Sequence, residues 1–188
     1  MPVQYTRFVR SACSRDEEIE LARVDGIAAH LLDHLDQSAL AIDRVHVHGA
    51  QSKVVQTIVA ELLESRLAFE QEYVLTPEDG LVTAPRPDFY FRLGSGRGIL
   101  AEVERGGTTL NNHDLKDMWK AHIAPRAHHL FLIVPNANWN VAGGVRERPF
   151  VRVRSRLAAF FGDQRREVDV LSLHLFGYGT ETSHLTPR

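Results

Sequence analysis

One stretch limits the fold more than any other: His129-Leu130-Phe131-Leu132-Ile133-Val134, closed by Pro135. It is a short continuous apolar run without the polar–apolar alternation of a half-exposed strand. A strand of that kind is buried on both faces. The sheet that contains it therefore needs cover on both sides, and 188 residues are enough for one domain of that kind. The flanking patterns supply the cover. Ser14-Arg15-Asp16-Glu17 opens a helical segment to about Leu35, with Ile19, Leu21, Val24, Ile27, Ala28, Leu31, Leu32 and Leu35 near helical spacing. A second helix is expected over 51–67, a third over 111–123 with Leu115, Met118, Trp119 and Ile123 inward, and a fourth over 147–161 with Val151, Leu157, Phe160 and Phe161 in the core. Strands are expected at 70–75 (ended by Pro77-Glu78-Asp79-Gly80), 87–93, 99–105 and 168–176. The expectation is a single α/β domain, with a central mixed sheet flanked by helices. Its parts are an N-terminal helical extension (1–50), a core (51–134), a C-terminal helix and strand (135–176) and a loose tail (177–188).

Composition excludes several classes. Apolar content of 44% and charged content of 24% are those of a soluble globular protein. No apolar run approaches the roughly 20 residues of a membrane span. Arg7, Arg10, Arg15 and Asp16 break up any signal-peptide core, and the single cysteine, Cys13, forms no internal disulfide, which fits a reducing, cytoplasmic setting. Net charge is −2, so no global field announces a polyanion partner. The charge is uneven, however. Arg146, Arg148, Arg152, Arg154, Arg156, Arg165 and Arg166 crowd one sector, and the acids Asp16, Glu17, Glu18, Glu20, Asp25, Asp33 and Asp36 crowd another. A basic sector can meet phosphates even when the total charge is slightly negative; a solvated helix face is the alternative.

The chemistry is carried by Asp88, Glu102 and Glu104. They interrupt two strand-like runs, Pro87-Asp88-Phe89-Tyr90-Phe91-Arg92-Leu93 and Gly98-Ile99-Leu100-Ala101-Glu102-Val103-Glu104-Arg105. A half-buried carboxylate needs a partner. Side chains alternate along a strand, so Phe89, Phe91 and Leu93 share one face while Asp88, Tyr90 and Arg92 share the other. Putting the apolar sets of both arms together requires an odd connection centred on Ser95 or Gly96, which brings Asp88 across from Glu102 or Glu104. A plain two-residue turn at Ser95-Gly96 would set Asp88 opposite Val103 and separate the acids. Three converging carboxylates repel, and Mg2+ or Mn2+ removes the repulsion with hard oxygen ligands. Surface acids paired with Arg92 or Arg105 are the alternative.

Pro87-Asp88, a hairpin, then Glu102-Val103-Glu104 after Ile99-Leu100-Ala101 resembles the PD-(D/E)xK nuclease superfamily. The element order over 51–134 matches its common core. The resemblance implies a restriction-endonuclease-like core, with Asp88 and Glu102 holding Mg2+ (or Mn2+) and DNA as the substrate, in a restriction or defence role. A subunit this small cutting duplex implies a homodimer. One position departs: Glu104 stands where the family has lysine. Glu104 is then a third ligand or a general base, or a lysine arrives from the next helix, where Asn112, Lys116 and Lys120 form one stripe and Lys116 is slightly favoured over Lys120. The preceding helix offers Gln51, Lys53, Gln56, Glu61 and Glu64, with Glu61 or Glu64 as an added acid. The competing reading is a non-catalytic nucleic-acid-binding or assembly module with the same fold; a carboxylate-metal hydrolase of another phosphoester is a third.

Other signals carry less. Gly94-Ser95-Gly96-Arg97-Gly98 lacks the Lys-Ser/Thr of a phosphate-binding loop. His46-Val47-His48 has no third metal ligand nearby, and His122, His128 and His129 have no zinc-site spacing. Gly106-Gly107-Thr108-Thr109 is expected to cap the following helix.

Overall fold

The computed structural model describes residues 3–49, 52–75, 86–94 and 96–181. Its centre is the expected doubly buried strand, β5 (His129–Pro135), every residue of which is buried. Parallel neighbours flank it: β4 (Arg97–Val103) on one side and β8 (Ser172–Tyr178) on the other. β4 continues antiparallel into β3 (Phe89–Gly94) and then β2 (Glu70–Gln71). β8 pairs antiparallel with β1 (Gln4–Val9). The six-stranded mixed sheet has the order β1-β8-β5-β4-β3-β2, and a two-stranded ribbon, β6 (Asn138–Trp139) with β7 (Val145–Glu147), stands apart from it.

Helices cover both faces, as a doubly buried strand demands. On one face α1 (Arg15–Gln37), α2 (Ala39–Val45) and α3 (Ser52–Leu63) pack Val24, Leu31, Ile42, Val59 and Leu63 onto Phe89, Ile99, Phe131 and Phe176. On the other face α4 (His113–Ile123) and α5 (Pro149–Leu157) pack Met118, Ala121, Phe150, Val153 and Leu157 onto Leu100, Leu130, Leu132 and Leu175. Ser14 and Glu17 close a reciprocal capping box at the start of α1. No helix among the described residues is long and apolar enough to cross a membrane.

Several expectations are corrected. Residues 4–9 form an edge strand rather than a lead-in, and α1 shares the core of the sheet; residues 1–50 therefore build the domain as well as extend it. The strand expected over 70–75 is only two residues long, and its Pro77–Gly80 stop lies outside the described residues. Trp119 and Val151, expected inward, face solvent, as do Ile19 and Val54 of the expected helix stripes. Thr108 and Thr109 do not cap α4: Thr108 Oγ1 donates to the Arg105 carbonyl and Thr109 Oγ1 to Glu147, while Asn112 enters the helix in the left-handed region at φ 56°. Gly177, placed in a tail, is the sixth residue of β8.

The hairpin register decides the site. Gly94 pairs with Arg97, so only residues 95 and 96 lie between the arms; yet Phe89 pairs with Ala101 and Tyr90 with Leu100. The two pairings differ by one residue, absorbed as an irregularity between Arg92 and Gly94, where Leu93 is extra. The two-residue turn that would have separated the acids is thus corrected by a bulge, and the odd register holds. Gly98 is needed for a different reason. A Cβ there would lie 2.4 Å from the Tyr90 hydroxyl, which crosses β4 to donate to the Arg126 carbonyl at 2.9 Å.

Candidate carboxylate–lysine site

Because Phe89 faces Ala101, Asp88 falls beside Glu102 on the α4 side of the sheet. The two acids are tied into the strand ends reciprocally. The Val103 N–H donates to Asp88 Oδ2 at 2.8 Å, and the Asp88 N–H donates to Glu102 Oε2 at 3.2 Å. Gln56 of α3 lies near enough to favour the charged form of the Asp88 carboxylate. From the opposite wall, Lys120 of α4 donates to Glu102 Oε1 and, at 3.3 Å, to Asp117 Oδ1. Asp88 and Glu102 come together as the alternation requires. Lys120 supplies the lysine, and Lys116, one turn earlier, is exposed.

Glu104 does not join them. Its N–H donates to the Ile133 carbonyl at 2.8 Å, and its carboxylate accepts from His113 Nδ1 at 2.8 Å. His113 opens α4, immediately above the end of β4, and intercepts the side chain. His113, not the Asp88–Glu102 pair, is thus the side-chain partner of Glu104, although the charge of Glu104 still raises the pKa of Asp117. Glu61 and Glu64 are exposed on α3, and Lys53 is exposed too; Gln51 lies outside the described residues.

The third acid near the pair is Asp117, which spacing within the hairpin cannot reveal. Its signal lies in α4 itself: Asp114, Asp117, Met118 and Ala121 are the buried positions of the helix, at i, i+3, i+4 and i+7. Acids on a core-facing stripe are costly unless partnered. Asp117 Oδ1 has Lys120, but Oδ2 is buried without a hydrogen-bond partner.

The electrostatics follow from three carboxylates sharing one ammonium. Burial, then Asp117, push Glu102 up to about 8. Burial likewise pushes Asp117 up to about 7, with Lys120 opposing. Asp88 is raised by burial, against the Val103 N–H and Lys120. For Lys120 burial disfavours the charge, but Glu102 and Asp117 outweigh it and the ammonium is held more firmly than usual. The cluster has more acid than base and keeps a proton near neutrality.

That surplus bears on a cation. Mg2+ is usually held by one or two carboxylates, with water and phosphate completing its shell. Asp88 and Glu102 are a donor set of that size and hardness, and the unmatched Asp117 oxygen marks charge that a cation would balance. A closed protein cage is another matter: among the described residues, no group of three or more His, Cys, Asp or Glu side chains is arranged to hold a metal ion. A cavity of about 500 Å3 lies elsewhere, between α2 and the β6–β7 ribbon, lined by Leu40, His46, Val47, Trp139 and Val141. His46 donates through Nε2 to the Ala137 carbonyl at 2.7 Å, and burial lowers its pKa. Compared with protein-family models and with curated proteins, the sequence matches none.

Proposed function

We propose that the protein is a metal-dependent endonuclease of the PD-(D/E)xK kind that hydrolyses DNA phosphodiester bonds, with its lysine delivered from α4. The observation that carries this reading is the contact of Lys120 with Glu102, beside Asp88. It restores an Asp–Glu–Lys constellation from residues that the usual spacing does not join. Asp88 and Glu102 would hold Mg2+ or Mn2+, which supplies Lewis-acid polarisation of a phosphoryl oxygen. The chain's own groups do the rest. Lys120 presents positive charge where an anionic phosphate oxygen or an attacking water sits beside Glu102. Asp117, which holds no metal in this reading, is raised by burial to about 7 and suits proton exchange near neutral pH. The Val103 and Asp88 N–H groups fix the two carboxylates so that neither must be ordered at the moment of reaction. Cutting both strands of a duplex would take two copies, and a restriction or defence role fits such an activity.

The test is plasmid nicking with Mg2+ or Mn2+ by the wild type, Asp88→Ala and Lys120→Met, with the fold followed by circular dichroism. The expected result is loss of about 100-fold or more in each variant, the scale of removing one positioned charge from a site of this type. A non-catalytic module of the same shape is the second reading, and one observation favours it. Lys120 already neutralises Glu102, and Glu104 stands in the family's lysine position bound to His113. Equal nicking by all three folded proteins, whether strong or nil, decides for that module.

A further inference from the structure

The outward face of α4 is built differently from the rest of the surface. Both of its acids, Asp114 and Asp117, are turned into the core. What faces solvent is Lys116 and Trp119, with Lys120 half-buried at the border of the carboxylate site. Trp119 is 60% exposed, and among the described aromatic rings only Tyr5, at 37%, is exposed as well. Its indole lies against the neighbouring His122 ring, tilted at 5.1 Å. An exposed indole keeps a flat apolar face accessible for stacking, and on this helix Lys116 stands one turn from it.

Charge says which occupant. α5 packs beside α4 and carries Arg152, Arg154 and Arg156 without a single acid. Arg156 donates to the Thr109 carbonyl and Asn112 Oδ1, both just ahead of α4, and pairs with Asp114 of α4 at 3.4 Å, which ties the two helices together. On the far side of the sheet, α1 holds seven acids against two arginines over its 23 residues. The described layer of α4 and α5 therefore carries Lys116, Lys120, Arg152, Arg154 and Arg156 against Asp114 and Asp117, and Trp119 belongs to it through α4. A planar ring set among Lys and Arg is the pattern that binds single-stranded nucleic acid, bases stacking on the ring while cations follow the backbone. In an intact duplex the bases stack on one another and offer no free face to a side chain in the basic layer.

We infer that Trp119 stacks against an unpaired base, so that the site takes single-stranded DNA, or a strand frayed from its partner, in preference to unbroken duplex. This rests on the nuclease reading for its substrate but not for its test, which uses binding without metal. The Trp139→Phe background leaves Trp119 as the sole tryptophan of the two in the chain. Its fluorescence is followed in EDTA during titration with a 15-mer of thymidylate and with a blunt 15-base-pair duplex, and fluorescence anisotropy of labelled DNA gives the affinities. The expected result is saturable quenching by the single strand, with binding about tenfold weaker in Trp119→Ala, little changed in Trp119→Phe, and weaker for duplex throughout. Trp119 is exposed, so circular dichroism of the variants should match the parent. Equal single-strand affinity for Trp119→Ala and the parent overturns the inference, even if metal-dependent cutting is intact. So does loss of self-association in Trp119→Ala with no nucleic-acid binding by either protein, which makes the patch a protein contact. Quenching by the single strand with no cutting under any metal sustains the inference and sinks the nuclease reading instead.

Discussion

Lys120 and Glu104 show how far a single residue can be read from its neighbours in sequence. The alternation of β3 and β4 makes Asp88 and Glu102 partners: Glu102 lies within β4, and Asp88, one residue ahead of β3, is tied back to it through its own N–H and through Val103. Glu104 shares that parity, yet it stands one residue beyond β4, where the partner is set by whatever the next element brings; His113 takes it. The choice of Lys120 over Lys116 is likewise a matter of helix phase. Spacing puts both on one stripe, and only the packing of Met118 and Ala121 on the sheet fixes which of them is turned toward Glu102. Two substitutions separate the acids. In the nicking assay Glu102→Gln is expected to lose about 100-fold or more, whereas Glu104→Gln, whose side chain stays hydrogen-bonded to His113, is expected to keep activity within about threefold, well short of the loss of a general base. A Glu104→Gln loss as large as that of Glu102→Gln would return Glu104 to the site. Lys120→Met leaves Glu102 and Asp117 buried without their cation. It should cost about 2–4 kcal/mol in urea unfolding at pH 8, and less at pH 6, where the acids take protons instead; an equal cost at both pH values would show that the pair is not held this way.

At the scale of elements, the long periodic segments were legible and the short or corrective ones were not. α1 follows from its capping box and its Leu21–Leu35 stripe, and β5 from an uninterrupted apolar run. β1 alternates partly buried with exposed side chains and carries Arg7, so its sequence resembles a loop; only the pairing of Gln4 to Val9 with Gly177 to Ser172 makes it a strand. The Leu93 bulge leaves no signature at all, because its cause is a conflict between the turn and the core. The glycines at 94 and 96 favour a tight two-residue turn, the phenylalanines demand the other parity, and one extra residue settles both. Deleting Leu93 should therefore be mild. The hairpin would close as a regular two-residue turn with Phe89 still opposite Ala101, losing the partial packing of one leucine and the exposed bond its carbonyl accepts from Arg23, about 1 kcal/mol in all. For a domain this size that is a fall in Tm of about 2–4 °C, with nicking retained. A molten chain or a much larger fall would mean that the bulge does more than set register.

Across the whole molecule two buried clusters pull stability in opposite directions as pH changes. On the α1 face a chain of hydrogen bonds runs from the Tyr5 hydroxyl to His174 Nδ1, from His174 Nε2 to Ser172, from Ser172 to His129 Nδ1, and from His129 Nε2 to Glu20, each between 2.7 and 3.0 Å. Neutral rings that each donate once and accept once would complete this chain. Burial holds His129 at about 4 and His174 at about 3, against 6.5 when unfolded. Their contribution is present above 6.5 and is lost as pH falls toward those folded values. Glu102 and Asp117 are raised to about 8 and 7, so theirs is present below the ordinary carboxylate range and is lost as pH rises through 7 to 8. The two trends offset each other between about 4.5 and 6.5, and only the acids act above that. Metal-free protein should thus lose about 2 kcal/mol between pH 6.5 and 8. Asp117→Asn, or added Mg2+, should flatten that decline in thermal melts, and a decline unchanged by both would assign it to other groups. The strand order has a last consequence, for synthesis. β8 lies between β1 and β5 in the sheet but more than 160 residues after β1 in the chain. A nascent polypeptide halted before residue 172 can assemble β2 to β5 but leaves the amino-terminal strand without a neighbour. Closure of the domain must therefore await the ribosome's delivery of a piece from its far end.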